Sequence, residues 1–181
     1  MDISALFAQA AAEAQRFKWV ASGAVFQVRP ADLPRLPALH QQQLVLVQED
    51  AAGRVQNATT AQIAGALDDL YAAAEAVPDL GAVVAGGSTR FKLWAPTAQA
   101  VSVVLTTPIS GSTLLTRTTT EPMTRDAVTG VWQLSKPANL QGASYRYQVQ
   151  VFVRGVGLVR NLVTDPYSLG LTQGGQQSVV V

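Results

Sequence analysis

Tyr145-Arg146-Tyr147-Gln148-Val149-Gln150-Val151-Phe152-Val153-Arg154-Gly155-Val156-Gly157 is the run that decides the fold. Tyr145, Tyr147, Val149, Val151 and Val153 fall on one face, and Arg146, Gln148, Gln150 and Arg154 on the other. Side chains alternate across a strand with a period of two, so this reads as a half-buried strand. Gly155-Val156-Gly157 supplies a turn, and residues 158–163 return as the second arm of a hairpin. Working outward, the same period recurs. Phe91 and Leu93 oppose Arg90, Lys92 and Trp94; Val101, Val103 and Leu105 repeat it; Trp132 shares a face with Leu134 and not with Gln133. The Thr-rich residues 113–120 read as an edge strand or loop, and the closing run Ser178-Val179-Val180-Val181 as strand. Short strands with turn signals and no helices between them argue for an immunoglobulin-like β-sandwich over residues 86–181.

The first half reads differently. Ile3, Leu6, Phe7, Ala10, Ala14 and Phe17 recur at helical spacing after Asp2, and Ala24 to Val28 reads as a strand. The prolines between Pro30 and Pro37 predict extended chain that is denied helix. A strand over residues 43–48, turn chemistry from Glu49 to Gly53, and Arg54-Val55 predict a hairpin. Thr59 or Thr60 would cap a helix over residues 61–76 whose inner side is Ile63, Leu67, Leu70 and Ala74, stopped by Pro78 and Gly81. The glycine-rich residues 80–88 mark a boundary. The chain is therefore expected to be mainly β, with a small mixed α/β module over residues 1–85 preceding the sandwich.

The 181 residues suffice for two small modules, and only 14% are charged against about 25% in an ordinary soluble domain. Residues 1–85 carry a net −4 and residues 86–181 a net +5. The basic residues Arg117, Arg125, Lys136, Arg146, Arg154 and Arg160 are scattered, which argues against a nucleic-acid partner. Glu13, Arg16 and Lys18 break the N-terminal apolar run, so it reads as neither signal peptide nor membrane span. With no cysteine there is no redox clue to compartment, and localisation stays open.

Motifs for cofactor chemistry are missing. There is no P-loop, Rossmann fingerprint or nucleophile elbow, and His40, the one histidine, has no companions at metal-ligand spacing. It reads as a packing or loop residue, and neither cofactor nor metal is expected. Glycosidic cleavage needs two carboxylates across the scissile bond. The sandwich half offers Glu121, Asp126 and Asp165, each explained by loop capping or turn hydrogen bonds, so no catalytic residue is assigned. Among the aromatics, Trp94 lies on the polar face of its strand, where it could stack on a sugar or anchor an interface. Trp132, Tyr145 and Tyr147 belong to the core, the two tyrosines with hydroxyls reaching a rim partner. Trp19 closes the first module.

Arg90-Phe91-Lys92-Leu93-Trp94-Ala95-Pro96-Thr97-Ala98-Gln99-Ala100-Val101 and Asp165-Pro166-Tyr167 resemble the two ends of a family 48 carbohydrate-binding module. Pro122-Met123-Thr124-Arg125-Asp126, Gly130-Val131-Trp132 and Gly142-Ala143-Ser144-Tyr145-Arg146-Tyr147 extend the resemblance in order and spacing. Such modules precede the catalytic barrel of bacterial pullulanases, and residues 41–48 and 63–74 look like the domain that often stands before them. The resemblance implies a sandwich fold and a non-catalytic part of an α-1,6-glucan debranching hydrolase. Its job would be to dock to and position the downstream barrel and to guide starch or pullulan. A barrel needs ~250 residues, and no such length remains here.

Trp94, Pro96, Asp165, Pro166 and Tyr167 are the expected interdomain edge, and Trp94 with Lys92 the candidate carbohydrate site. Glycogen-binding members carry a tryptophan after the turn equivalent to Gly155-Val156-Gly157, where this chain has Leu158, Val159 and Arg160. The expected partners are thus the downstream catalytic domain and, second, an α-glucan; neither nucleic acid nor membrane is expected. An autonomous α-glucan-binding module and a sandwich scaffold for a protein partner remain the alternatives.

Overall fold

The alternation of the second half is realised as two antiparallel sheets facing each other across one apolar core. The structure is a computed structural model that describes residues 15, 18, 27–61, 64–109, 111 and 115–181. Of the helix expected over residues 3–17, Gln15 is helical and the rest lies outside the described residues, as do Trp19, Ile63 and residues 24–26. Gln27 and Val28 are not in a strand. The chain divides into two compact units, Met1–Arg35 and Leu36–Val181.

In the first unit Pro30–Arg35 is a 3-10 helix, tied by Asp32, whose carboxylate accepts from Arg29 Nε at 3.2 Å and Arg35 Nη1 at 3.3 Å. The second unit opens with a four-residue helix, α1 (Leu36–Leu39). This corrects the extended chain expected for residues 30–37. A proline is tolerated in a first helical turn, where its missing N–H would have had no partner.

The hairpin is formed by β1 (Val45–Glu49) and β2 (Val55–Thr60). Asp50 closes its turn by accepting from the amides of Ala52 and Arg54 at 2.9 and 3.0 Å, as turn aspartates do. Thr59 and Thr60 pair with Leu46 and Val45 in this ladder, so neither caps the next helix as expected. That helix is α2 (Ala64–Leu70), and after Tyr71 the chain tightens into a 3-10 turn, Ala72–Ala76. Tyr71 is buried, while Leu67, Leu70 and Ala74 are half-buried.

The first sheet of the sandwich runs β3 (Gly81–Ala85), β4 (Ser88–Trp94), β8 (Val131–Lys136), β7 (Thr124–Arg125). The glycine-rich residues 80–88 are therefore a strand and a turn into β4. The second sheet runs β11 (Gly170–Leu171), β12 (Ser178–Val179), β9 (Ser144–Val153), β5 (Ala100–Pro108), β6 (Thr116–Pro122), with β10 (Gly157–Val163) also on β9. From Thr116 the Thr-rich run is thus an edge strand, its Thr118 hydroxyl meeting that of Thr106 across the ladder at 3.2 Å.

The core takes Phe91, Leu93 and Trp132 from one sheet and Val101, Val103, Leu105, Tyr145 and Tyr147 from the other. Phe91 meets Tyr145 edge-to-face at 5.1 Å and Tyr145 meets Tyr147 at 5.7 Å, geometry worth about 0.5–1.5 kcal/mol per pair beyond area burial. Along β9, burial fades from Tyr147 (0%) to Val153 (37%), so the β9–β10 hairpin tip projects past the core. His40 is buried with its Nδ1 2.7 Å from the Leu36 carbonyl, a packing role.

Candidate functional site

Alternation puts Arg90, Lys92 and Trp94 on the outer face of β4, because Phe91 and Leu93 fill the core. Trp94 is half-buried, and its indole N–H donates to the Thr129 carbonyl at 3.0 Å. Lys92 Nζ donates to the Pro78 carbonyl at 3.0 Å, and exposed Arg90 lies 3.7 Å from Asp79. Just beyond the strand, Trp132 Nε1 donates to the Ala95 carbonyl at 3.0 Å and Pro96 is buried. The two tryptophans thus hold the Trp94-Ala95-Pro96 corner from opposite sides.

Asp165 is buried 70 residues further along the chain, below the surface formed by its neighbours. Its Oδ2 accepts from the Tyr145 hydroxyl at 2.6 Å and the Tyr147 hydroxyl at 3.4 Å. Its Oδ1 accepts from the Tyr167 amide at 2.8 Å, the bond of an Asx turn, and its own amide donates to Ser178 Oγ at 2.9 Å. The tyrosine hydroxyls therefore meet a buried carboxylate, not a rim group. Burial pushes the Asp165 carboxyl above its ordinary value, opposed by the tyrosine hydroxyls and the Tyr167 amide. Burial pushes both tyrosine hydroxyls up as well, with the Asp165 carboxylate adding to it. Gly81, at φ +96°, lies under this turn, where a Cβ would come within 3.1 Å of the Tyr167 carbonyl oxygen. Pro166 is exposed and Tyr167 half-buried.

Trp94 and Tyr167 then line one groove of about 400 Å³, closed on its far side by Asp68, Tyr71, Glu75 and Leu80. Sequence reasoning missed that far side. Tyr71 accepts from Arg125 Nη2 at 2.6 Å, and Arg125 also reaches the Pro96 carbonyl at 3.3 Å. The guanidinium carbon lies 5.5 Å from the centre of the Tyr71 ring, while Arg125 Nε is buried with no hydrogen-bond partner. Gln41 adds a second tie, donating to the Ala98 carbonyl at 2.9 Å and accepting at its own carbonyl from Gln99 Nε2 at 3.0 Å. Separations of 54 to 58 residues leave no local signal for these pairs.

The three acids of the sandwich do structural work. Asp126 Oδ1 accepts from the Val128 and Thr129 amides at 2.9 and 2.8 Å, and these bonds, Thr129's first, hold its carboxyl below the usual range. Glu121 departs from the loop-capping expectation. It lies in β6 and pairs with Lys136 at 2.6 Å, because the Thr-rich run continues as strand. Among the described residues, no group of three or more His, Cys, Asp or Glu could hold a metal ion.

Two family models match the chain: the pullulanase N2 domain over residues 4–69 and carbohydrate-binding module 48 (isoamylase N-terminal domain) over residues 79–168. The chain is similar to a pullulanase of Klebsiella pneumoniae, 36% identical over 170 residues, covering 92% of this chain and 15% of the relative. It is also similar to the chloroplastic pullulanase 1 of Arabidopsis thaliana, 31% identical over 169 residues, covering 92% and 16%. Among solved structures, ligand-free PulA from Klebsiella pneumoniae aligns with a TM-score of 0.74 at 35% identity, covering 84% of this chain and 14% of that one. A maltotriose complex of Klebsiella pneumoniae pullulanase aligns with a TM-score of 0.72 at 35% identity, covering 81% and 14%. The chain thus spans about one sixth of the length of these relatives or less.

Proposed function

The chain belongs to the pullulanase N2 and carbohydrate-binding module 48 families, and from that premise we propose that it docks to and positions the catalytic barrel of a pullulanase-type hydrolase. Its own part is non-catalytic. The barrel cleaves α-1,6 branches, and the docked segment guides starch or pullulan to it. One observation carries this reading: Trp94 and Tyr167, 73 residues apart, converge on one groove, the first held by its side chain and the second by its backbone. Thr129 holds the indole, and Asp165 holds the Tyr167 backbone. Half-buried aromatics fixed in this way are typical interface anchors. The division at residues 85 and 86 belongs to the same reading, since Asp68, Tyr71, Glu75 and Leu80 then come from the first domain and Trp94 and Tyr167 from the second. Asp-Pro restricts the backbone where the chain leaves the groove.

Trp94→Ala in the whole pullulanase-type protein tests the proposal. The expected result is a lower melting temperature for the catalytic domain and reduced debranching, with sugar affinity of the isolated segment unaffected. A barrel whose stability and rate are indifferent to Trp94 refutes docking at this groove. A second reading, an autonomous α-glucan module, draws on Trp94 together with the cavity on the same strand where Arg90, Lys92, Gln133 and Ser135 gather. Saturable cyclodextrin binding by the isolated chain, lost in Trp94→Ala, would favour it.

A further inference from the structure

We infer that the groove between Trp94 and Tyr167 receives an arginine or lysine side chain presented by the docked domain, with Asp68 and Glu75 as its counter-charges. The inference rests on the docking reading and specifies the contact within it. The lining is mainly aromatic and apolar, through Tyr71, Leu80, Trp94 and Tyr167, and its two ionisable side chains besides the tyrosines are both acids. Asp68 and Glu75 are exposed and engage no hydrogen-bond or ion-pair partner among the described residues.

Among the described residues, three cations of the sandwich are committed elsewhere. Lys92 is bound to the Pro78 carbonyl, Arg90 lies against Asp79, and Arg125 is spent on Tyr71 and the Pro96 carbonyl. Behind the groove, Asp165 adds a third carboxyl. Burial first, and the Asp165 charge second, push the Tyr167 hydroxyl up. Residues 166–181 contain no Lys or Arg, so this tail cannot fill the groove with a cation of its own. Aromatic faces attract a desolvated ammonium or guanidinium, and carboxylates at the rim add direct pairing. Arginine suits the site better, because its flat group stacks on the ring planes while its edge donates to the acids.

The probe is L-argininamide, titrated into the 181-residue chain and followed by NMR at the Trp94 indole N–H and the Tyr167 amide. The expected result is a saturable shift of both signals, weakened by added salt and absent with neutral L-citrullinamide. Asp68→Asn with Glu75→Gln should lower the affinity about five- to tenfold, as loss of two exposed charge pairs implies. Their exposure leaves the melting temperature unchanged. Equal shifts from citrullinamide, or full affinity in the double variant, overturn the inference. Maltotriose shifting the same two signals more strongly also overturns it, by making the groove a sugar site. If argininamide fails while Trp94→Ala still uncouples the barrel, the cation is refuted and docking survives. Argininamide binding with a barrel indifferent to Trp94 overturns both the docking reading and the proposed source of the cation.

Discussion

Gly130→Ala probes the junction that gives the groove its second wall. Gly130 has φ +68°, a left-handed conformation that costs an L-residue about 1–2 kcal/mol. The added Cβ would lie 2.9 Å from Pro96 Cβ and 3.1 Å from Tyr71 Cδ1. Neither neighbour can easily withdraw. Pro96 follows Ala95, whose carbonyl accepts from Trp132, and Tyr71 is held by Arg125 at 2.6 Å. Overpacking of this kind adds about 1–3 kcal/mol, for a total loss of about 2–5 kcal/mol. Gly155→Ala is the control, because Gly155 has φ +77° with nothing within 4 Å of its Cβ position and should lose the backbone part alone. In thermal unfolding each kcal/mol moves the midpoint by about 2–4 °C for a chain of this size, so Gly130→Ala should melt about 4–20 °C lower. Equal losses at Gly130 and Gly155 would refute the argument that Tyr71 and Pro96 are locked against the sandwich. The Arg125–Tyr71 bond would then be an incidental contact.

Tyr145→Phe should destabilise the chain by about 1–3 kcal/mol in urea unfolding, since Asp165 loses its shortest donor while staying buried; an unchanged midpoint would count against the bond. Asp165 also makes stability depend on pH with a definite sign. Its folded pKa is raised, so its contribution is fully present below the ordinary 3.8 and is lost as pH climbs through the folded value. The melting temperature of the parent minus that of Asp165→Asn should therefore be larger near pH 4 than at pH 7. The opposite trend would mean that the hydroxyl donors outweigh burial.

Most of the sandwich was legible because a strand exposes its environment in a period of two. Tyr145, Tyr147, Phe91, Leu93 and Trp132 could be assigned to the core, and Trp94 to the outer face, from their neighbours alone. The misreadings have local causes. Thr59 and Thr60 have both cap and strand propensity, and the ladder with Val45 and Leu46 won. Pro30, Pro34 and Pro37 were read as breakers, whereas a 3-10 helix and a first helical turn both admit a ring at those positions. Pro122 beside Glu121 suggested a loop, yet Glu121 lies in the edge strand β6 and pairs with Lys136.

The sequence by itself determined the pleated half, its turns and the two motif ends that identify the module, because each rests on neighbours a few residues apart. Only the tertiary structure brought Tyr71 to Arg125 and Gly130, turned Asp165 inward beneath Tyr145 and Tyr147, and set Asp68 and Glu75 opposite Trp94 and Tyr167. Those meetings depend on how strands and helix pack at long range, where no period along the chain records which side chain will find which.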